Sequence, residues 1–186
     1  MTVKGSLQKE LPAKNLEPVF ESMSIWGIGW SWMWRSLLFS SPLILAAWML
    51  PDFFLVSRIS PRTFYIAGGL LLCLGIPFWF FTALRIKGYY EKGILCTTGP
   101  FAFCRNPIYG AWIFFLIPGI VLLLRMPLLL LVPLIMYHCL LKPLKREEQW
   151  LLRKYGALYE IYAQGVPRLC PGIADLSRIW RRRRYY

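Results

Sequence analysis

The sequence predicts an all-α fold: a polytopic membrane helical bundle of about four transmembrane helices, with an N-terminal interfacial helix and a C-terminal cytoplasmic amphipathic helix. Three observations predict it. First, 57% of the 186 residues are hydrophobic and only 17% are charged, whereas a soluble domain is nearer half apolar and a quarter charged. Second, the apolar excess is concentrated in four runs nearly free of charge, each approaching the ~20 residues that a spanning helix needs. Third, the basic residues that give the net charge of +13 gather at the ends of those runs.

Taken in order, the first 35 residues form a cytoplasmic and interfacial segment. Met1 to Phe20 is polar and has no apolar core followed by a small-residue cleavage site, so a cleaved leader is not expected. Ser24 to Trp34 carries Trp26, Trp30, Trp32 and Trp34. Tryptophan favours the headgroup level, so this stretch reads as a helix lying on the membrane, with a fifth, short span as the alternative. The first span is expected over about 36–56, interrupted by Pro42 and Pro51, and the second over about 64–84. The third, about 108–124, and the fourth, about 127–141, are divided only by Arg125-Met126 and read as a tight hairpin. Pro127 suits the first turn of a new helix, where its missing N–H has no partner to lose. Residues 36–171 are expected to form the membrane domain, with its motifs over 84–171, and 172–186 a basic tail.

Orientation follows from Lys and Arg. With four spans, all but three of the 22 (Arg58, Arg62 and Arg125) fall on the side that holds both termini, and the positive-inside rule makes that side cytoplasmic, hence an inner membrane in a bacterial cell. The tail Arg181 to Arg184 also suits anionic headgroups. Nucleic acid is not an expected partner, because the basic residues hug membrane ends.

Two cytoplasmic segments can carry chemistry. In Gly93 to Gly110, Thr98-Gly99-Pro100 is turn chemistry, and Arg105-Asn106-Pro107 opens the third span. Asn106 suits an N-cap and Pro107 the first helical position. The segment reads either as a capped helix with a snorkelling arginine or as an anion site at a helix N-terminus. In Lys142 to Gly156, Glu147 and Glu148 come a turn or two past the apolar run. Acidic groups at that depth need partners; they either pair along the helix or face a cationic ligand group. Gly156 reads as a helix stop, and Tyr155, Tyr159 and Tyr162 as an amphipathic face. His138 is a lone ionisable group within the fourth span. The five cysteines, odd in number and without C-x-x-C spacing, read as small buried hydrophobes; no metal site is expected. Nucleotide-binding glycine patterns and H-E-x-x-H are absent from the sequence.

Together these segments resemble the isoprenylcysteine carboxyl methyltransferase and phospholipid methyltransferase superfamily of membrane enzymes. The resemblance covers Leu84 to Pro171. It rests on Leu95-x-Thr97-Thr98-Gly99-Pro100, Arg105-Asn106-Pro107-x-Tyr109-Gly110, the hairpin, Glu147-Glu148, Tyr155-Gly156-x-x-Tyr159-x-x-Tyr162 and Val166-Pro167-Arg168-x-x-Pro171. It implies methylation of a lipophilic acceptor (carboxylate, amine or thiol-bearing) with S-adenosyl-L-methionine. By motif position, Gly93, Ile94, Leu95, Cys96, Phe101, Asn106, Pro107, Ile108, Tyr109 and Glu147 would line the cofactor pocket, and Arg105, Glu147 and Glu148 would be catalytic. Asn106 replaces a common histidine, as in many bacterial-type members. Pro143 or Leu144 falls near the place where the prenylcysteine enzymes carry an arginine. The C-terminal pattern is also similar to the end of NADPH-dependent sterol reductases, and an accessory protein with the same fold is the non-enzymatic alternative. The oligomeric state stays open.

Overall fold

The computed structural model describes residues 28–56 and 59–169. The first part of the expected interfacial helix, Arg58 and the basic tail lie outside the described residues. Every regular element among the described residues is helical: α1 (Gly29–Met49), α2 (Pro51–Phe54), α3 (Pro61–Glu91), α4 (Pro107–Ala111), α5 (Ile117–Leu123), α6 (Leu131–Tyr155) and α7 (Ala157–Gly165). A wider π turn, Trp112–Leu116, joins α4 to α5 in one rod. Its cause is Pro118, which has no N–H and would press on the carbonyl four residues back; adding a residue to the turn relieves that clash. Short 3₁₀ turns precede α4 (Gly99–Ala102) and α6 (Pro127–Leu130).

Two helices are long and apolar enough to cross a membrane, α3 and the rod Pro127–Tyr155 that contains α6; Pro107–Leu123 is a shorter apolar helix. α1 has 21 residues, but four serines and three tryptophans, with Trp48 a fourth, dilute its apolar content. The outer faces suit lipid. Ile66, Leu70, Leu74, Phe80 and Leu84 of α3, and Leu38, Phe39 and Trp48 of α1, are all exposed, and so much bare apolar surface is not stable in water.

The element bounds differ most from expectation in the first helix, and α3 also runs beyond the expected 64–84 to cover 61–91. Trp30, Trp32 and Trp34 do not belong to a separate surface helix; they lie within α1, which runs unbroken through Arg35 and ends at Met49, where Pro51 starts α2. The reason is tertiary. Trp32 points into the bundle, donating its indole N–H to the Met136 carbonyl at 2.9 Å and meeting Tyr109 edge-on at 5.1 Å. Ser36, Ser40 and Ala47 continue the same buried stripe, so one continuous helix carries it.

Two helix pairs result. α1 lies along α6, and α3 lies along α4, the π turn and α5. The second pair is joined at a glycine seam. A Cβ at Gly68 would lie 2.7 Å from the Gly119 carbonyl oxygen, and one at Gly75 would lie 2.5 Å from the Phe115 Cβ. Both are impossible contacts, so only glycine permits this approach, and close backbone packing is how helices associate in lipid. The pairs meet where α6 touches the π turn. At one end, the Val56 N–H donates to the Arg125 carbonyl at 3.2 Å, closing two turns together. The other end collects the loop after α3, the start of α4, the end of α6, and α7.

Candidate functional site

The charged end is built on α6. Its apolar stretch ends at Leu141, and Lys142, Lys145 and Arg146 follow. Glu147 and Glu148 stand beyond them. Successive helical residues point about 100° apart, so the two carboxylates face different neighbours.

Glu147 turns into the bundle. Tyr109, buried at the start of α4, donates its hydroxyl to Glu147 Oε2 at 3.2 Å. Trp32 meets the Tyr109 ring edge-on. Burial among these rings raises the Glu147 carboxyl from the ordinary carboxylate range to about 7, the Tyr109 bond opposing and the adjacent Glu148 reinforcing the rise. A carboxyl poised there can hold or accept a proton near neutrality.

Glu148 turns outward and is gripped by two arginines. Arg168 donates from Nε and Nη2 to its two oxygens, at 2.9 and 2.6 Å, a two-point geometry that fixes direction as well as charge. Arg105 Nη1 lies 3.2 Å from Glu148 Oε1 and also donates to the Tyr159 hydroxyl at 3.3 Å. The carboxylate hydrogen bond holds the Arg168 guanidinium above its usual range. Arg168 arrives by a reversal of the chain. Gly156, with φ of +54°, occupies a conformation that a side chain would resist; it ends α6 and lets α7 fold back. The stretch after α7 then lies across the start of α4. The Arg105 N–H donates to the Pro167 carbonyl at 2.9 Å, and Asn106 Nδ2 donates to the Arg168 carbonyl at 2.8 Å.

That contact corrects one expectation. Asn106 stands at the N-cap position of α4, but its side chain makes no capping bond; it is buried and spent on the Arg168 carbonyl. The Asn106 amide therefore ties down the stretch after α7 instead of capping α4.

An open hollow of about 380 Å³ lies beside this cluster, between α6 and α7. Arg105, Lys145, Glu148, Gln149, Tyr159 and Arg168 contribute to its lining, with Leu152, Glu160 and Ala163 completing the wall. Of the residues expected from the sequence, Arg105 and Glu148 line it; Asn106, Pro107, Ile108, Tyr109 and Glu147 do not.

The loop residues sit further along the same end. Gly93, with φ of +64°, and Ile94 are exposed in the turn after α3, where both N–H groups return to carbonyls of α3. Leu95 is half-buried and Cys96 buried, and burial pushes the Cys96 thiol up, against the opposing effect of Thr98 and Arg85. Arg85 Nη2 donates to Thr98 Oγ1, and the Tyr89 hydroxyl shares the same atom, each at 3.0 Å. Phe101 is buried, and its carbonyl accepts the Tyr162 hydroxyl at 2.6 Å. A chain of contacts thus runs from Phe101 through Tyr162, Tyr159 and Arg105 to Glu148. Gly93 to Cys96 support this end but do not line the hollow. His138 is exposed on α6, bonded through Nδ1 to the Leu134 carbonyl at 2.8 Å, away from the cluster.

Tyr159 and Arg168 were the residues that sequence reasoning undervalued. Tyr159 was read as packing and Arg168 only as part of a pattern, although a conspicuous cation after a helix-reversing glycine was the signal available. No protein-family model matches the chain, and neither a curated protein nor a solved structure matches it significantly.

The donor set fits the amino-acid end of S-adenosylmethionine. The hollow offers Arg105, Lys145 and Arg168 for a carboxylate, and Glu148 and Glu160 for an ammonium.

Proposed function

We propose that this chain is an integral membrane methyltransferase that uses S-adenosylmethionine to methylate a lipophilic acceptor. The observation that carries the reading is the meeting of three separated segments: the Arg105-Asn106-Pro107-x-Tyr109 turn, the Glu147-Glu148 pair, and Arg168. They converge at the charged end of an apolar bundle. The arrangement is completed by four spans, with both termini and the hollow in the cytoplasm and the acceptor entering sideways from the bilayer.

When bound, the cofactor supplies a methyl group already activated by its sulfonium. The work of the protein is to bind, orient and exclude water. Arg105, Arg168 and Lys145 take a carboxylate, and Glu148 exchanges an arginine contact for an ammonium. Tyr159 holds the Arg105 guanidinium in place. A carboxylate acceptor needs no base; with an amine acceptor, Glu148, which lines the hollow, or a water takes the proton that the product must lose.

The test is calorimetry on full-length protein in detergent with S-adenosylmethionine and with its demethylated product. Binding is expected, weakened at least tenfold by Glu148→Gln and by Arg105→Ala, with Asn106→Ala and Glu147→Ala following. Radiolabelled methyl should then appear in a lipid extract. Absence of heat and of thermal stabilisation with both ligands overturns the reading. Protection by NADPH instead points to the reductase alternative, and binding without any methylated product points to an accessory protein.

A further inference from the structure

A second cluster lies at the same end of the bundle, apart from the hollow. The ammonium of Lys154 sits over three aromatic rings: Trp150 at 4.7 Å from the ring centroid, Tyr155 at 5.4 Å and Tyr90 at 5.7 Å. All three lie within the ~6 Å over which a ring face attracts a cation. Trp150 and Tyr155 belong to the last turns of α6 and Tyr90 to the last turn of α3, so two helices are needed to build the box. The three rings are half-buried, whereas Lys154 itself is exposed. Among the described residues Lys154 has no carboxylate partner. Its place is therefore set by the rings alone.

We propose that Tyr90, Trp150 and Tyr155 form a binding site for a trimethylammonium group, in which Lys154 is a resident that a ligand displaces. The chemistry favours the exchange. A primary ammonium is compact and strongly hydrated, and it gives up water to enter an aromatic box. A quaternary ammonium has no N–H to leave unpaired, and its methyl groups meet ring faces on three sides. Lys154 leaves at little cost, because it is exposed and its four-carbon stem is flexible. Trp150 and Tyr155 lie beyond the Lys142–Arg146 basic stretch, and Tyr90 lies beyond the apolar part of α3, on the water-facing side of the apolar bundle. The site thus suits a choline-type headgroup at the bilayer surface. It stands independently of the methyltransferase reading, since none of its residues lines the hollow.

The experiment uses full-length protein in a choline-free maltoside detergent. Saturation transfer from the protein to the N-methyl protons of phosphocholine and of a short-chain phosphatidylcholine is followed by NMR, with phosphoethanolamine as competitor. Transfer is expected with both choline compounds, and phosphoethanolamine should compete at least fivefold more weakly than unlabelled phosphocholine. Trp150→Leu and Tyr90→Leu should each lower the affinity about tenfold or more. Lys154→Ala removes the resident cation from an exposed position and should raise phosphocholine affinity severalfold. Circular dichroism checks that each variant keeps its helices. A Lys154→Ala protein that binds phosphocholine no better than the parent overturns the proposal. So does transfer that survives Trp150→Leu, or transfer seen with the lipid alone, which marks acyl-chain contact only. Free phosphocholine and the lipid binding equally would show that the headgroup suffices; tighter binding of the lipid, still lost in Trp150→Leu, would place the site at the membrane surface.

Discussion

The α3–α5 seam and the α6–α7 charged end hold this molecule by opposite means. At the seam, Gly68, Gly75 and Gly119 remove side chains so that backbones touch, and the stabilisation is shape: many weak contacts that depend on the absence of a methyl group. At the charged end, Glu148, Arg105 and Arg168 hold three chain segments through directed, charge-assisted bonds of 2.6–3.2 Å. The proposed membrane setting accounts for the division. In hydrocarbon the hydrophobic effect does not drive helices together, so packing must do it. At the aqueous margin, charges can be paired and still partly solvated. The seam therefore sets the frame, and the charged end sets what the frame presents.

The seam should be the more fragile of the two. Gly75→Leu places a side chain where even a Cβ meets Phe115 at 2.5 Å, and Gly68→Ala meets a carbonyl oxygen at 2.7 Å. Neither obstacle is the flexible end of a side chain, so the helices must part. Overpacking of this kind costs about 1–3 kcal/mol and sometimes more; Gly75→Leu should exceed the upper figure and leave little folded protein after detergent extraction. Gly69→Ala is the matched control, because nothing lies within 4 Å of its Cβ. Thermal unfolding in detergent should separate Gly68→Ala from Gly69→Ala clearly. Equal stability of the two would show that the seam is not a close contact.

At the charged end, Glu148→Gln should cost less, about 2 kcal/mol, because hydrogen bonds to a charged group contribute about 1.5–3 kcal/mol and the Arg168 side chain is 39% exposed, which screens the pair. The effect should be local. Residues 166–169 keep the two bonds from Arg105 N–H and Asn106 Nδ2, so the helices stay folded while the stretch after α7 loosens. Limited trypsin digestion should cut after Arg168 about tenfold faster in Glu148→Gln than in the parent. A double-mutant cycle with Arg168→Gln should give a coupling of at least 0.5 kcal/mol. Unchanged digestion would mean that the ion pair is incidental to holding this segment.

The same division explains what was legible in the sequence. Apolar runs and their charged boundaries are one-dimensional features, so the runs over about 64–84, 108–124 and 127–141 could be read directly, as could the stop at Gly156, although the first of these helices extends further, over 61–91. Glu147, Glu148 and Arg105 stood out because charge beside an apolar run is conspicuous. What sequence could not supply was direction. One residue of offset turns Glu147 to Tyr109 and Glu148 to two arginines, and no pattern in a single chain says which way α6 is rotated. Asn106 had the composition of a cap, but a carbonyl 62 residues away won its amide. The glycines were legible as residues and not as a seam, because Gly68 and Gly75 acquire meaning only opposite Gly119 and Phe115. Trp32 misled for a related reason: tryptophan favours the interface on average, and here the Met136 carbonyl offered a buried partner.

The smallest expected effect separates the two carboxylates from each other. Folding raises the Glu147 carboxyl from its ordinary 4.5 to about 7 through burial. The folded site therefore binds its proton more tightly than the unfolded chain does. By linkage, this stabilisation is fully present below about pH 4.5 and is lost as pH rises through about 7, above which the loss is constant. Glu147→Gln removes the titration while keeping an acceptor for the Tyr109 hydroxyl. The stability of the Gln variant relative to the parent should thus grow between pH 5 and pH 7.5 and then level off. Between pH 6 and pH 8, the difference in unfolding temperature should change by only a few degrees. Glu148→Gln, which breaks an ion pair instead of relieving a buried charge, should be less stable than the parent at neutral pH. If Glu147→Gln is likewise less stable than the parent at pH 8, then Glu147 is held as a paired carboxylate, and the contrast between an inward, proton-holding residue and an outward, ion-paired one fails.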